Sequence, residues 1–299
     1  MTPDRSGGEL CLAIDIGGTK FSAGLVDACG RVVVELRMPT PATGDAEELL
    51  GSLAGLIGRL PQGAVVCGVG CGGPMAARGE NVSPLNIPAW REFPLLDRLR
   101  ILTVLPVFVD NDAKALALGE WWQGGARGKS SFLAMVVSTG VGGGIVLDGR
   151  LLDGLSGNAG HIGHLIVEPN GRLCACGARG CLEAEASGPA IAAITGDDPE
   201  SATPEVIERT GRLVGRAVAS VANLLDLDLA LVAGSVALGF GTPFFESAQE
   251  EIDERARTDF SRGTRIAPAL LGARGPLVGA AAVGWRGWGL KGPWTGRIF

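Results

Sequence analysis

The chain of 299 residues carries 26 Lys and Arg against 32 Asp and Glu, and hydrophobic residues make up 46% of it. This composition excludes a disordered chain, and the net charge of −6 disfavours nucleic acid as a partner, because phosphate neutralisation needs a basic face. No apolar run reaches the roughly 20 residues of a membrane helix, and the polar N-terminus lacks the apolar stretch of a signal peptide, so we expect a cytoplasmic protein that binds no membrane.

Strands and helices alternate along the first half of the chain. The pattern predicts strands at 9–16, 21–26, 31–36, 64–71 and 104–109, and helices at 45–60, with Asp45 as N-cap, and from 113 to about 122. The first three strands are expected to form a meander, because only short turns join them.

The second half repeats this layout. We expect strands at 131–138, 144–147 and 229–233, and helices at about 187–195, 204–225, 243–258 and 276–288. Alternating strands and helices are typical of an α/β fold. Because each half opens with a strand and a glycine turn, we expect two lobes with a cleft between them.

Three glycine-rich turns follow apolar strands: DIGGTK at 15–20, STGVGGG at 138–144 and AGSV at 233–236. Glycines let backbone N–H groups surround a phosphate, and the hydroxyls of Thr19 and Thr139 can add donors. One such turn is usually only a tight connection, but three at strand ends favour a nucleotide. The G-x-x-x-x-G-K-[ST] pattern of a P-loop is absent.

Acidic residues stand at two of the strand ends. Asp15, facing the first glycine turn, is either the first residue of an Asx turn or a group that positions Mg²⁺ near phosphates. The stretch VDND at 109–112 stands before a helix. It is either an N-cap or the base that accepts a substrate hydroxyl proton in phosphoryl transfer.

The stretch from 158 to 183 predicts a metal site. It holds both histidines of the chain, His161 and His164, and three of its seven cysteines, Cys174, Cys176 and Cys181. One His and three Cys are a common tetrahedral zinc set, and four protein ligands make such a zinc structural. An unmetallated thiol loop is the alternative. The remaining cysteines stand in or beside apolar strands and are interpreted as small core residues: Cys11, Cys29, Cys67 and Cys71.

Taken in order, these motifs resemble the ROK family (repressor, open reading frame, kinase). DIGGTK, VDNDA, STGVGGGIV, AGHIGH and CACGARGCLEAEASG match from residue 12 to about residue 190, and AGSV and GPLVGAAA extend the match. The resemblance implies a two-lobed actin/hexokinase-like (ribonuclease H-like) α/β fold with a sugar cleft. The lobes would span 1–112, completed by about 283–299, and 113–282.

The resemblance also implies a role for each matching residue in an ATP- and Mg²⁺-dependent sugar 6-kinase. Asp112 would be the catalytic base. ATP and its Mg²⁺ would be held by Asp15, Gly17, Gly18, Thr19, Lys20, Ser138, Thr139, Gly140, Gly142 and Gly234. The sugar would be held by Gly73, Asn86, Asn111, His161, His164 and Glu183. A structural Zn²⁺ would bind to His164, Cys174, Cys176 and Cys181. A homodimer is implied by the family only.

One position departs from the family pattern. Most kinases of the family read AGEIGH, with a sugar-binding glutamate, where this chain has His161. The AGHIGH variant resembles bacterial N-acetylmannosamine kinases, and a neutral imidazole can donate as well as accept a hydrogen bond near C2 of the sugar. N-acetylglucosamine and glucose stay open as substrates.

Two non-enzymatic alternatives follow from the same resemblance. The repressor branch carries a helix-turn-helix before the first glycine turn. The first strand here begins near residue 9, which leaves no room for one, so we expect no DNA-binding function. A sugar-sensing protein without catalysis is the other alternative, against which the intact Asp15, Thr19, Asn111 and Asp112 argue.

Overall fold

The computed structural model describes residues 8–295, which form two α/β units. The regular elements in chain order are β1 (Leu10–Ile16), β2 (Lys20–Asp27), β3 (Val32–Pro39), α1 (Ala46–Ile57), β4 (Ala64–Cys71), α2 (Leu95–Thr103), β5 (Val107–Asn111), α3 (Asp112–Gln123), β6 (Phe132–Val137), β7 (Val141–Leu147), β8 (Arg150–Leu151), α4 (Leu182–Ala186), α5 (Gly188–Thr195), α6 (Pro204–Leu225), β9 (Leu229–Ala233), α7 (Ser235–Phe240), α8 (Thr242–Arg255), β10 (Arg265–Pro268) and α9 (Gly275–Trp288). The residues outside this range include the ends of the lobe predicted over 1–112 and 283–299.

The first unit comprises residues 8–128, 153–159 and 271–295. Its sheet has the order β3-β2-β1-β4-β5, in which β1, β2 and β3 form the predicted antiparallel meander and β4 and β5 run parallel to β1. Helix α1 begins where predicted, because the Asp45 side chain accepts from the backbone N–H groups of Glu47 and Glu48. Trp90 is fully buried in the core and stacks on Phe93, with ring centroids 4.6 Å apart.

The second unit comprises residues 129–152 and 160–270. Its sheet has the order β10-β9-β6-β7-β8, with β6 and β7 antiparallel and β9 and β10 parallel to β6. Helices α6 and α8 pack against each other, and the apolar face of α6 joins the buried core under the sheet. Both units therefore have the predicted α/β layers.

The observed division differs from the predicted boundary between residues 112 and 113. Helix α3 packs against α9 and β4 and so belongs to the first unit, although it follows the predicted boundary. The chain returns to this unit at 153–159 and again from residue 271, earlier than the predicted 283. Sequence periodicity could not show these returns because they depend on long-range packing.

The interpretation of Cys29 as a core residue is wrong. Cys11, Cys67 and Cys71 are buried, as expected of core residues, but Cys29 is exposed. It lies in the turn between β2 and β3, where its backbone N–H donates to the Asp27 carboxylate. A turn at the end of a hairpin places its side chains in solvent even when apolar strands flank it.

Among residues 8–295, none of the helices has both the length and the apolar character needed to cross a bilayer.

Candidate active site and metal centre

The first group of candidate residues lies at one edge of the first unit's sheet. Strands β1, β4 and β5 are parallel, with Asp15 paired to Gly70 and Gly70 to Asp110, so their carboxyl ends meet there. This edge is where open α/β sheets bind ligands. A Cβ atom placed on Gly70 would lie 3.6 Å from Asp112 Cα and 3.9 Å from Asp15 Oδ1. The structure thus brings Asp15 and Asp112 together on either side of Gly70.

Asn111 and Asp112 occupy different positions at the start of α3. Asn111 is the N-cap of α3, and its Oδ1 accepts from the Ala113 backbone N–H at 3.0 Å. Asp112 is the first helical residue, and part of its surface is open to solvent. Many protein atoms nevertheless surround its carboxyl, and this burial raises the pKa of the group. Because Asn111 caps the helix, the Asp112 carboxylate is available for chemistry.

Asp15 is a second perturbed acid at this edge. Burial and, after it, the negative charge of Asp112 raise its pKa to about 7, while Lys20 and Arg37 oppose the shift. A carboxyl in this state takes up a proton near neutral pH unless a cation is supplied. That behaviour suits a group that interacts with a metal–nucleotide complex.

Replacing Asp15 by asparagine is expected to stabilise the ligand-free protein at high pH. The folded-state pKa of about 7 lies above the usual 3.8, so the wild type loses stability as pH rises between these values. Above pH 7 we expect the variant to melt about 2–8 °C higher, and below pH 4 the two melting temperatures should converge. Thermal unfolding from pH 4 to 8 measures this, with Asp97→Asn on α2 as control. A pH-independent difference would contradict the assignment.

The glycine turn between β1 and β2 lies against the segment predicted to line the sugar pocket. Gly17 N–H donates to the Lys20 carbonyl at 3.1 Å, which closes the turn and leaves Gly18, Thr19 and Lys20 exposed. A Cβ on Gly18 would lie 2.5 Å from Asn86 Cβ and 2.8 Å from its carbonyl oxygen. Gly18 is therefore required for the close approach of Asn86.

Gly73 begins the same segment. Its carbonyl accepts from the Leu85 N–H at 3.2 Å, so the segment closes back on itself one residue before Asn86. Two of the predicted sugar residues of this unit, Gly73 and Asn86, thus lie at the two ends of one closed loop.

The other two glycine turns lie at the carboxyl ends of β6 and β9 in the second unit. These strands are parallel, and Ser138 and Ser235 just beyond them approach with 2.9 Å between their hydroxyl oxygens. Gly234 has a φ of 104°, and a Cβ there would collide with the Val137 carbonyl. The close approach of the two turns therefore requires Gly234 to be a glycine. The other predicted phosphate residues of this unit belong to the same turn and to the start of β7: Thr139, Gly140 and Gly142.

Glu183 and the two histidines surround the start of β7. Glu183 Oε2 accepts from the Val141 backbone N–H at 2.9 Å, so this carboxylate is tied to the glycine turn. A short 3₁₀ turn over Ile162–His164 orients the imidazoles, and the rings of His161 and His164 stack with centroids 6.0 Å apart. The predicted sugar residues of the second unit therefore lie around one strand end.

The predicted metal ligands form one cluster. The ligand atoms of His164, Cys174, Cys176 and Cys181 lie within 4.8 Å of one another. Cys174 Sγ lies 3.8 Å from His164 Nδ1, and the sulfurs of Cys176 and Cys181 are 3.7 Å apart. A tetrahedral ion with bonds of about 2.3 Å separates its ligands by about 3.8 Å, so the donor set fits zinc.

The cluster distinguishes the two histidines and raises the pKa of two thiols. His164 belongs to the four-residue group, whereas His161 stacks beside it. Burial raises the pKa of Cys174, and raises that of Cys181 to about 12. These thiols are therefore protonated at neutral pH, and a bound metal has to displace their protons.

The sequence interpretation missed a polar network beside Asp112. Lys114 is 3% exposed and lies 3.0 Å from Asp110 Oδ1 and 2.6 Å from Asp153 Oδ1. Asn158, in the same loop as Asp153, bonds to the Met75 backbone. One signal was available: a lysine inside the otherwise apolar run AKALALG needs an acidic partner, and Asp110 stands four residues before it.

Comparison with known proteins identifies the family of this chain. Residues 11–285 match the ROK family profile. The chain is 41% identical over 184 residues to a glucokinase from Thermotoga maritima, covering 60% of this chain and 58% of that one. It is 38% identical to an N-acetylmannosamine kinase from Escherichia fergusonii, covering 77% and 84%. A ROK family glucokinase from Streptomyces griseus, solved with glucose and AMPPNP, superposes with a TM-score of 0.80 at 28% identity, covering 93% and 99%.

The family match spans both α/β units and every candidate residue described above. This protein therefore belongs to the ROK family.

Proposed function

We propose that this ATP-dependent sugar kinase phosphorylates the 6-hydroxyl of an N-acetylated hexosamine, with N-acetylmannosamine as its substrate. The sugar O6 attacks the γ-phosphorus, the bond to the β–γ bridging oxygen breaks, and ADP leaves. The proton of the 6-hydroxyl passes to Asp112. The products are N-acetylmannosamine 6-phosphate and ADP.

The observation that carries the substrate assignment is His161, which stands beside His164 where most kinases of the family carry a glutamate. A glutamate only accepts hydrogen bonds from hydroxyls, whereas a neutral imidazole both donates and accepts. The carbonyl of an N-acetyl group is an acceptor and needs a donor. The N-acetylmannosamine kinase of Escherichia fergusonii, which matches 77% of this chain, supports the same sugar class.

The hydrogen bonds of the proposed sugar residues leave specific atoms for the sugar. Asn111 Oδ1 caps α3, so its amide nitrogen is the proposed donor to a sugar hydroxyl. Glu183 Oε2 is bonded to Val141, which leaves Oε1 as the proposed acceptor. His164 turns Nδ1 towards Cys174, so Nε2 is the nitrogen proposed to reach the sugar. Gly73 and Asn86 are proposed to approach it from their closed loop.

The glycine turns are proposed to hold the nucleotide. In the first unit the residues are Asp15, Gly17, Gly18, Thr19 and Lys20. In the second unit they are Ser138, Thr139, Gly140, Gly142 and Gly234. Backbone N–H groups in such turns bind phosphate oxygens, and Mg²⁺ bound with ATP neutralises charge on the transferring phosphoryl group. We propose that Asp15 positions that ion through water.

A structural zinc is proposed for the four-ligand cluster of His164, Cys174, Cys176 and Cys181. Three thiolates and one imidazole close a tetrahedral shell and leave no position for a substrate. The role of the metal is to fix the loop that presents His164 and Glu183, so that both side chains keep their orientation.

Replacing His161 by glutamate tests the substrate assignment. We expect kcat/KM for N-acetylmannosamine to fall about 5- to 150-fold, because one hydrogen bond to the N-acetyl region is lost. The value for glucose should stay unchanged or rise. Coupled assays measure kcat/KM of the wild type and of the variant with N-acetylmannosamine, N-acetylglucosamine, glucose and fructose. His161→Gln, which keeps a neutral donor and acceptor, is the control and should retain the preference of the wild type.

Zinc content measured on the same variant separates two roles of His161. If His161 contacts sugar, the His161→Glu variant keeps its zinc and changes its selectivity. Loss of zinc together with equal losses for all four sugars would show a metal ligand instead.

Glucokinase is the second candidate, and the 41% identity to the Thermotoga maritima glucokinase over 60% of this chain favours it. A wild-type preference for glucose would assign this activity and leave the kinase chemistry unchanged. Sugar binding without phosphorylation of any of the four sugars would indicate a sensor.

The cytoplasm is the proposed compartment, because ATP is available there and the cysteines would stay reduced. A homodimer is proposed from the family resemblance, and light scattering of the purified protein measures it.

A further inference from the structure

Lys114 is a buried cation with a complete set of partners. Its ammonium group lies 3.0 Å from Asp110 Oδ1, 2.6 Å from Asp153 Oδ1 and 3.2 Å from the Gly157 carbonyl oxygen. An ammonium group has three N–H donors, so each has an acceptor. Two of these acceptors belong to the loop 153–159, which is thereby fastened to the beginning of α3.

Asn158 fastens the other end of that loop. Its Oδ1 accepts from the Met75 backbone N–H at 3.2 Å, and its Nδ2 donates to the Met75 carbonyl at 2.9 Å. The opposite side of this segment is already paired, because Met75 forms an antiparallel bridge with Val82. The carboxamide therefore takes the place of a neighbouring strand and satisfies both backbone groups of Met75.

The hydrogen bonds of Lys114 and Asn158 connect the start of α3, which carries the proposed base Asp112, to the segment from Gly73 to Asn86. Lys114 stands two residues after Asp112 on α3, and Met75 stands two residues after Gly73. A Cβ atom placed on Gly72 would lie 4.0 Å from Asp112 Oδ2. The segment that starts at Gly73 therefore begins directly beside the proposed base. Movement of the loop by about 1 Å would misplace the sugar relative to Asp112.

We propose that Lys114 and Asn158 are positioning residues for the sugar: through the loop 153–159 they hold the segment from Gly73 to Asn86 against the N-terminus of α3. The proposal rests on the kinase activity proposed above. Neither residue is proposed to touch substrate. Their effect is on the affinity for the sugar, because the loop they hold carries two of the proposed sugar contacts.

The test compares Asn158→Leu with the double substitution Lys114→Met and Asp110→Asn. Leucine keeps the size of Asn158 and removes both bonds to Met75, while the double substitution removes the cation together with the buried carboxylate that it pairs. We expect KM for the sugar to rise at least about 10-fold in each, with kcat within about threefold and KM for ATP within about twofold. The variant that combines all three substitutions should raise the sugar KM by less than the product of the two separate increases, since both changes act on one loop.

Lys129→Met is the matched control. It also removes a Lys–Asp ion pair, in which Lys129 Nζ lies 2.6 Å from Asp228 Oδ2 on the surface of the second unit. Hydrogen exchange of the ligand-free proteins should accelerate at residues 75–83 in the test variants and not in the control. A lower melting temperature with an unchanged sugar KM would overturn the proposal, as would equal rises in both KM values.

The assay also separates this proposal from the substrate assignment. If the wild type prefers glucose, the comparison of variants is made with glucose, and a selective rise in its KM supports the positioning role. If the wild type phosphorylates none of the sugars, the proposed function fails, and the hydrogen exchange result decides whether the two residues hold the loop.

Discussion

The Asp112→Asn variant is expected to keep its fold and its affinity for sugar while kcat falls by about 10²–10⁴-fold. Asparagine has the shape of aspartate but cannot take the proton from the 6-hydroxyl. The helix should survive the change because Asn111, and not Asp112, is its N-cap. The carboxylate accepts the Ala113 N–H, a bond that the asparagine oxygen can also accept.

Three measurements check this prediction: kcat with saturating sugar and ATP, sugar affinity by calorimetry, and the melting temperature. Asp97→Asn is the control, since Asp97 is a surface residue of α2 whose carboxylate pairs with Arg100. Activity within a few-fold of the wild type would show that Asp112 is not the base. Loss of sugar binding together with stability would show a structural role instead.

The Cys176→Ser variant is expected to lose most of its zinc and to raise KM for the sugar by about 10- to 100-fold. The wild type should hold one equivalent per chain. The residues from Ile166 to Cys181 form only isolated strand bridges, Ile166 with Cys181 and Leu173 with Arg179, so this loop has little regular structure of its own. Without the metal, His164 is no longer fixed to the cysteines, and the sugar loses an ordered partner.

Cys29→Ser is the matched control, because Cys29 is exposed as Cys176 is and lies outside the cluster. Elemental analysis of freshly purified proteins gives the metal content, and coupled assays give KM. Metal-free protein with full activity would contradict the proposed role of zinc. A Cys29→Ser variant that also lost zinc would show that the cysteine loss acts through general instability.

Elements with a clear periodicity were predicted within a few residues, while five shorter ones, α2, β8, α4, α7 and β10, were missed. Helix α6 shows a regular apolar face, and the predicted range 204–225 matches Pro204–Leu225. Helix α2 has only nine residues, and it is stabilised by the burial of Leu95, Leu96 and Leu99. Strand β10 has four residues, one of them proline, and exists through its pairing with β9.

Candidate residues were predictable where they are close in sequence. The cysteines of the metal cluster stand within eight residues of one another, and His164 stands ten residues before Cys174, so spacing alone indicated the site. The approach of Gly18 to Asn86 and of Asn158 to Met75 could not be predicted. No local pattern encodes a contact between residues so far apart in the chain.

The sequence by itself determined the α/β class, most of the strands and helices, the three cysteines of the candidate metal site and the family resemblance, because each depends on the order and spacing of nearby residues. Tertiary structure decided which helices belong to which unit, that His164 rather than His161 joins the cysteines, and that Asn111 caps α3 while Asp112 stays available. It also decided the partners of Lys114. A buried ammonium group needs acceptors, and only the folding of the loop 153–159 onto α3 supplies those beyond Asp110.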